Sequence, residues 1–225
     1  MCIRDSDVPD QFYRLWISLF LTAGLIHCAI VVSIQLYLMT DLERMCGPTR
    51  LALIYFGSGI IGNLASAVFV PYRAECGPAG SLFGVLAAFT MEVFKAWDIL
   101  LDPVRALQQF ILLMIGFLVV GLVPWVDNYA HFFGFVAGLL ISHALFPSID
   151  VHEEDLAANR SKRLRLFYKW LPIGSVVVVF LVLCLLFYLV PFAECEWCKW
   201  LSCVPIVSDF CAEQNINFVK KPGIF

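Results

Sequence analysis

The chain has 225 residues, 61% of them hydrophobic and only 15% charged, with a net charge of -3 and a mean hydropathy of +0.85. Soluble domains carry about 25% charged residues, so there is too little polar surface here to coat a water-soluble globule, and the composition reads as a polytopic membrane protein. No glycine-rich phosphate loop and no basic patch interleaved with aromatics is present, which leaves no basis for a nucleotide- or nucleic-acid-binding class.

In chain order, residues 1–11 are polar and contain no apolar signal-peptide core. Six stretches then qualify as membrane spans, each close to the roughly 20 apolar residues that a helix needs to cross a bilayer: 15–39, 51–70, 79–94, 107–123, 129–146 and 171–190. Five of the six contain no Asp, Glu, Lys or Arg, and the third carries only Glu92 near its end. Such residues cost about 2.5–3.5 kcal/mol each at mid-membrane, so their exclusion supports the assignment. The predicted fold is therefore all-α: a six-helix membrane domain over 12–192, flanked by a short segment at 1–11 and a cysteine-rich tail at 193–225.

Nine of the 15 Lys and Arg (Arg44, Arg50, Lys95, Arg105, Arg160, Lys162, Arg163, Arg165 and Lys169) fall in loops on one side of this six-span layout. The positive-inside rule places those loops in the cytosol and both termini outside. An outside N-terminus without a signal peptide predicts a fragment whose upstream part, including another span, is missing; whether residues 1–6 are native is left open. The basic run at 160–169 lies in the loop before the last span, where it serves as a topological signal and could contact anionic lipid. The sequon Asn159-Arg160-Ser161 is expected in the cytosol and bare.

Four of nine cysteines, Cys195, Cys198, Cys203 and Cys211, crowd the tail on the predicted outer face. Two disulfides with three possible pairings are expected there. The alternative is a zinc knuckle, against which stand irregular spacings and an oxidising compartment. No metal and no cofactor is otherwise implied.

Small residues recur every four positions in three spans: Ser58, Gly62 and Ser66; Gly80, Gly84 and Ala88; Ala130, Gly134, Gly138 and Ser142. Lipid-embedded helices have no hydrophobic drive to associate, so stripes like these let backbones approach and gain van der Waals attraction. They predict a bundle whose central helices cross tightly, with Gly62, Gly84, Gly134 and Gly138 at the crossings.

Two motifs sit at span ends: Gly77-Pro78-Ala79-Gly80 at the mouth of the third, and Ala130-His131-Phe132-Phe133-Gly134 followed by Gly138 in the fifth. Further stretches are Pro9-Asp10-Gln11-Phe12-Tyr13-Arg14-Leu15-Trp16, the run from Ser58 to Ala67, Pro71-Tyr72-Arg73-Ala74-Glu75 and Pro124-Trp125-Val126-Asp127-Asn128. On these residues nearly the whole chain, from Asp7 onward, resembles the membrane core of the inactive rhomboids, or iRhoms. In active rhomboids a Gly-X-Ser-Gly serine attacks and a histidine on a neighbouring helix takes its proton. An asparagine, a second histidine and a main-chain N–H steady the oxyanion. The resemblance puts Ala79 at the nucleophile position, His131 at the base, His27 at the second histidine and Val31 at the asparagine. A methyl group cannot attack a carbonyl, so the expectation is a pseudoprotease with no catalytic residues.

Ser81 is the one nearby substitute. Two residues past Ala79, its side chain is turned about 200° around the helix axis, away from the direction of Ala79. Without a nucleophile, His131 reads as a polar group satisfied by a carbonyl or water, His27 similarly, and His143 has no role. The resemblance implies binding of transmembrane clients: escort of a membrane-anchored metalloprotease sheddase from the endoplasmic reticulum toward the Golgi and plasma membrane, and diversion of single-pass growth-factor precursors. The competing readings are an active intramembrane serine protease using Ser81, and a transporter. Against the transporter, no span core carries an Asp, Glu, Lys or Arg for ion coupling.

Overall fold

The structure is a computed structural model describing residues 13–22, 24–70, 77–121, 127–146 and 160–189. Among these there are seven α-helices and no strand: α1 (Arg14–Ile17), α2 (Leu25–Cys46), α3 (Pro48–Phe69), α4 (Ala79–Lys95), α5 (Pro103–Val120), α6 (Asn128–Leu145) and α7 (Arg160–Leu189), with a single 3₁₀ turn (Ser18–Phe20) after α1. The chain is an all-helical polytopic membrane protein.

By length and composition, Leu25–Cys46, Pro48–Phe69 and Trp170–Leu189 can each cross a bilayer, and Pro103–Val119 is apolar but shorter. Helices α4 and α6 fall outside that set although the sequence predicts spans there. The reason is physical: α4 has only 17 residues, and α6 carries Asn128, His131, Ser142 and His143. Both are mostly enclosed by other helices, so their side chains face protein and need not match lipid.

Three helices form the centre. At the α3–α4–α6 crossing, a Cβ on Gly62 would stand 2.8 Å from the Ala130 carbonyl oxygen and 3.1 Å from Gly80 Cα. One on Gly134 would stand 2.7 Å from Gly80 Cα. A turn further along, a Cβ on Gly138 would meet Gly84 Cα at 2.5 Å, and one on Gly84 would overlap the Ser58 side chain. Backbone thus lies on backbone, the arrangement that small residues permit in lipid. Gly62 is seven residues before the end of α3, so α4 begins about 10 Å below that end, at 1.5 Å per residue. The mouth of α4 is recessed.

Two apolar clusters lock the ends. At the end carrying Ala79 and His131, Leu15 packs with Ile61, Leu64, Ala65 and Val68 of α3, Ala137 of α6, and Leu183 and Phe187 of α7. At the opposite end, Leu42 and Cys46 of α2 join Leu51, Ile54 and Tyr55 of α3, Val85 and Ala88 of α4, and Phe146. There Lys95, the last residue of α4, donates from Nζ to the carbonyls of His143 and Phe146 at 2.9 and 2.6 Å, closing the C-terminus of α6.

Two expectations are corrected. Residues 15–39 are not one helix: the chain turns at 14–20, runs extended through Leu21 and restarts as α2 at Leu25. The carbonyls of Leu15 and Ser18 have partners outside their own ladder, as described below, and this competes with continuation of the helix. Residues 160–169 are not a loop but the first ten of α7, which continues through Pro172. There Ser175 Oγ donates to the Pro172 carbonyl at 2.7 Å. The turn between α2 and α3 is the single residue Gly47, at φ +85, a left-handed conformation that suits glycine, with Pro48 opening α3.

Candidate functional site

The site lies where α4 begins. Gly77 has φ +118, again in the left-handed region, and a Cβ there would stand 3.3 Å from His27 Cε1 on α2. Pro78 is the residue before the helix and offers no side-chain cap. The α4 N-terminus therefore presents its first peptide N–H groups, the positive end of the helix dipole, at the mouth. Ala79, the first helical residue, is half-buried.

One turn on, Phe83 shares the face of Ala79 and stacks flat on the His131 imidazole, ring centroids 4.0 Å apart and planes at 13°. On its other side Phe83 meets Phe117 of α5 edge-on at 5.8 Å. His131 is 5% exposed and lies in the first turn of α6. Asp127 caps that turn, its Oδ1 accepting the Tyr129 N–H at 2.8 Å. Tyr129 stacks on Phe69 of α3 at 5.0 Å and closes the same end.

His27 is half-buried beside Gly77, and Val31, one turn further along α2, is buried. The structure therefore gathers His27 against Gly77, and Phe83 against His131 one turn beyond Ala79. Ser81 is fully buried, and its Oγ lies against Gly59 of α3. Phe83, by contrast, faces α6 and α5. His143 has an exposed side chain at the far end of α6. Cys195, Cys198, Cys203 and Cys211 lie outside the described residues, as do Asn159, 71–76 and 122–126. Among the described residues Cys28, Cys46 and Cys184 are free thiols, and no three His, Cys, Asp or Glu gather to hold a metal.

Sequence reasoning missed Phe83, although the signal was present: it sits four residues after Ala79, on the same helical face. It also missed the hydrogen bond from Gln35 Nε2 to the Tyr55 hydroxyl at 2.7 Å, midway along α2. Chemically, the arrangement offers a recessed, aromatic-lined mouth with one imidazole packed under a phenyl ring. The only hydroxyl within two residues of Ala79 on α4 is the buried one of Ser81.

A family model described as the rhomboid domain matches residues 9–148. The chain is 44% identical over 213 residues to inactive rhomboid protein 1 of Homo sapiens, covering 95% of this chain and 24% of that protein. It is 43% identical to inactive rhomboid protein 1 of Danio rerio with the same coverage. Against inactive rhomboid protein 2 of Homo sapiens the identity is 42% over 215 residues, covering 96% and 24%. The chain thus spans about a quarter of the length of the curated relatives it matches.

Proposed function

Because the chain belongs to the rhomboid family, on its inactive (iRhom) branch, we propose that it is a catalytically dead rhomboid scaffold which binds transmembrane helices of client proteins without cutting them. The observation that carries this reading is the methyl group of Ala79, which stands on the α4 face that Phe83 presents to His131. A base without a hydroxyl to deprotonate runs no acyl transfer. Val31, buried and apolar one turn from His27, supplies no oxyanion donor either.

The clients proposed are a membrane-anchored metalloprotease sheddase and single-pass growth-factor precursors. The compartment proposed is the endoplasmic reticulum, with onward passage to the Golgi and plasma membrane, and the outcome is control of sheddase maturation and growth-factor signalling. A client helix docks at the α2 and α5 edges of the bundle. Support comes from their exposed apolar side chains, Ile26, Ile30, Leu36 and Tyr37 on α2 and Ile111, Leu112, Ile115 and Val119 on α5. The active-protease alternative needs Ser81, and its burial against Gly59 speaks against that role.

Two measurements test the proposal. A serine-directed fluorophosphonate is expected to leave the purified chain unlabelled; labelling lost in Ser81→Ala would favour the enzyme. Co-precipitation of a sheddase or growth-factor precursor is expected to fall at least about tenfold when Leu36 and Ile115 are replaced by lysine, which is costly against a lipid-embedded partner. Undiminished capture would rule out docking at these edges.

A further inference from the structure

Among the described residues, a polar side chain of α3 ties down the turn before α2. Asn63, 2% exposed on α3, donates from Nδ2 to the Leu15 carbonyl at 3.1 Å and to Ser18 Oγ at 2.7 Å. Ser18 Oγ in turn donates to the Leu15 carbonyl at 3.0 Å. The amide orientation is forced, because a carbonyl oxygen can only accept. The carbonyl of Ser18 accepts the peptide N–H of Gly77 at 3.0 Å, and Gly77 lies two residues before Ala79, the first residue of α4.

Apolar contacts agree with the polar ones. Leu15 is fully buried among α3, α6 and α7, and Leu19, 2% exposed, fits over Gly59, where a Cβ would stand 2.7 Å from its Cδ2. Asn63 holds the turn even though its own Oδ1 is buried without a hydrogen-bond partner among the described residues. A polar group retained at that cost points to a positional task rather than to stability alone.

We propose that Asn63 is a positioning residue that couples the segment preceding α2 to the mouth of α4: it docks the Leu15–Ser18 turn so that the Ser18 carbonyl holds the Gly77 N–H, and displacing the turn releases Gly77. The coupling goes beyond client binding and is read without any client.

The test uses the full chain in lipid nanodiscs with three reporter cysteines, labelled by a small maleimide and read by peptide mass spectrometry. A65C lies under the turn, A79C at the mouth and A88C in the core at the opposite end. Asn63→Leu is expected to speed labelling of A65C and A79C together, by roughly tenfold, the effect of losing one or two interhelical hydrogen bonds. A88C stays protected, and Asn63→Gln, which keeps an amide donor, gives a smaller rise. A rise at A65C alone, or at neither site, overturns the coupling. Should A88C rise as well, the variant has unfolded and the decision passes to the unsubstituted protein. There the Gly77 amide is expected to exchange at least about a hundredfold more slowly than an open loop. Exchange at the open-loop rate overturns the proposal.

Discussion

The centre and the edge of this bundle are built on different physics. In the centre, α3, α4 and α6 touch through backbone around Gly80, and an added methyl group at Gly62, Gly84, Gly134 or Gly138 would come within 3.0 Å of a neighbour. At the edge, α2 and α5 attach through side chains. Helix α2 is held by Gln35 to Tyr55 midway and by Leu42 and Cys46 at one end, and α5 by Phe117 on Phe83 and Phe110 on Phe89. The apolar stretch of α3 is 61% enclosed and that of α2 only 11%. Backbone contact is an all-or-none fit, whereas side-chain attachment leaves a helix able to shift. The recess of Ala79 and His131 is therefore fixed in shape, while its two flanking helices keep apolar surface for another helix.

Substitutions can break this contrast. Gly134→Leu drives a side chain into the α4 backbone, and loss of the folded bundle, by about 3 kcal/mol or more, is expected in chemical unfolding from micelles. A small effect there would mean that the centre is not packed backbone to backbone. Leu42→Ala removes a fully buried anchor and should cost about 2–5 kcal/mol by the same assay. Gln35→Leu tests the edge itself: loss of one bond between helices is worth about 0.6–1.7 kcal/mol, with maleimide labelling of the native Cys28 on α2 rising in step. An unchanged rate at Cys28 would show that α2 is held by something other than that bond. The smallest effect belongs to Gly116→Ala on α5, where a Cβ meets nothing within 4 Å; a gain of about 0.5–1 kcal/mol from helix propensity is expected. Destabilisation there would reveal packing on α5 and narrow the contrast.

Much of this was legible in the residues because helices in lipid leave a strong, local signal. The apolar runs at 51–70, 79–94 and 129–146 lie within a few residues of α3, α4 and α6, and the small-residue stripes meet where backbones cross. The break between the turn at 14–20 and α2 was hidden, since Leu15, Leu19 and Leu21 look as apolar as any span and only the distant Asn63 and Gly77 claim the carbonyls of Leu15 and Ser18. The helical start of α7 at Arg160 was hidden for the opposite reason: its basic residues read as a loop, although Lys and Arg are good helix formers. At the site, His27 and His131 could be placed by motif. The stacking of Phe83 on His131 could not, because it depends on how α4 and α6 cross. The tail cysteines lie outside the described residues.

The central claim is that this bundle docks a transmembrane helix at its α2 and α5 edges and leaves it whole. Its most direct test is to co-reconstitute the purified chain with a single-pass growth-factor precursor in vesicles, carry a photo-crosslinker at Ile115 of α5, and analyse the precursor by mass spectrometry. The account predicts crosslinked precursor of full length and no fragment. Cleavage within the membrane segment that disappears in Ser81→Ala would contradict it.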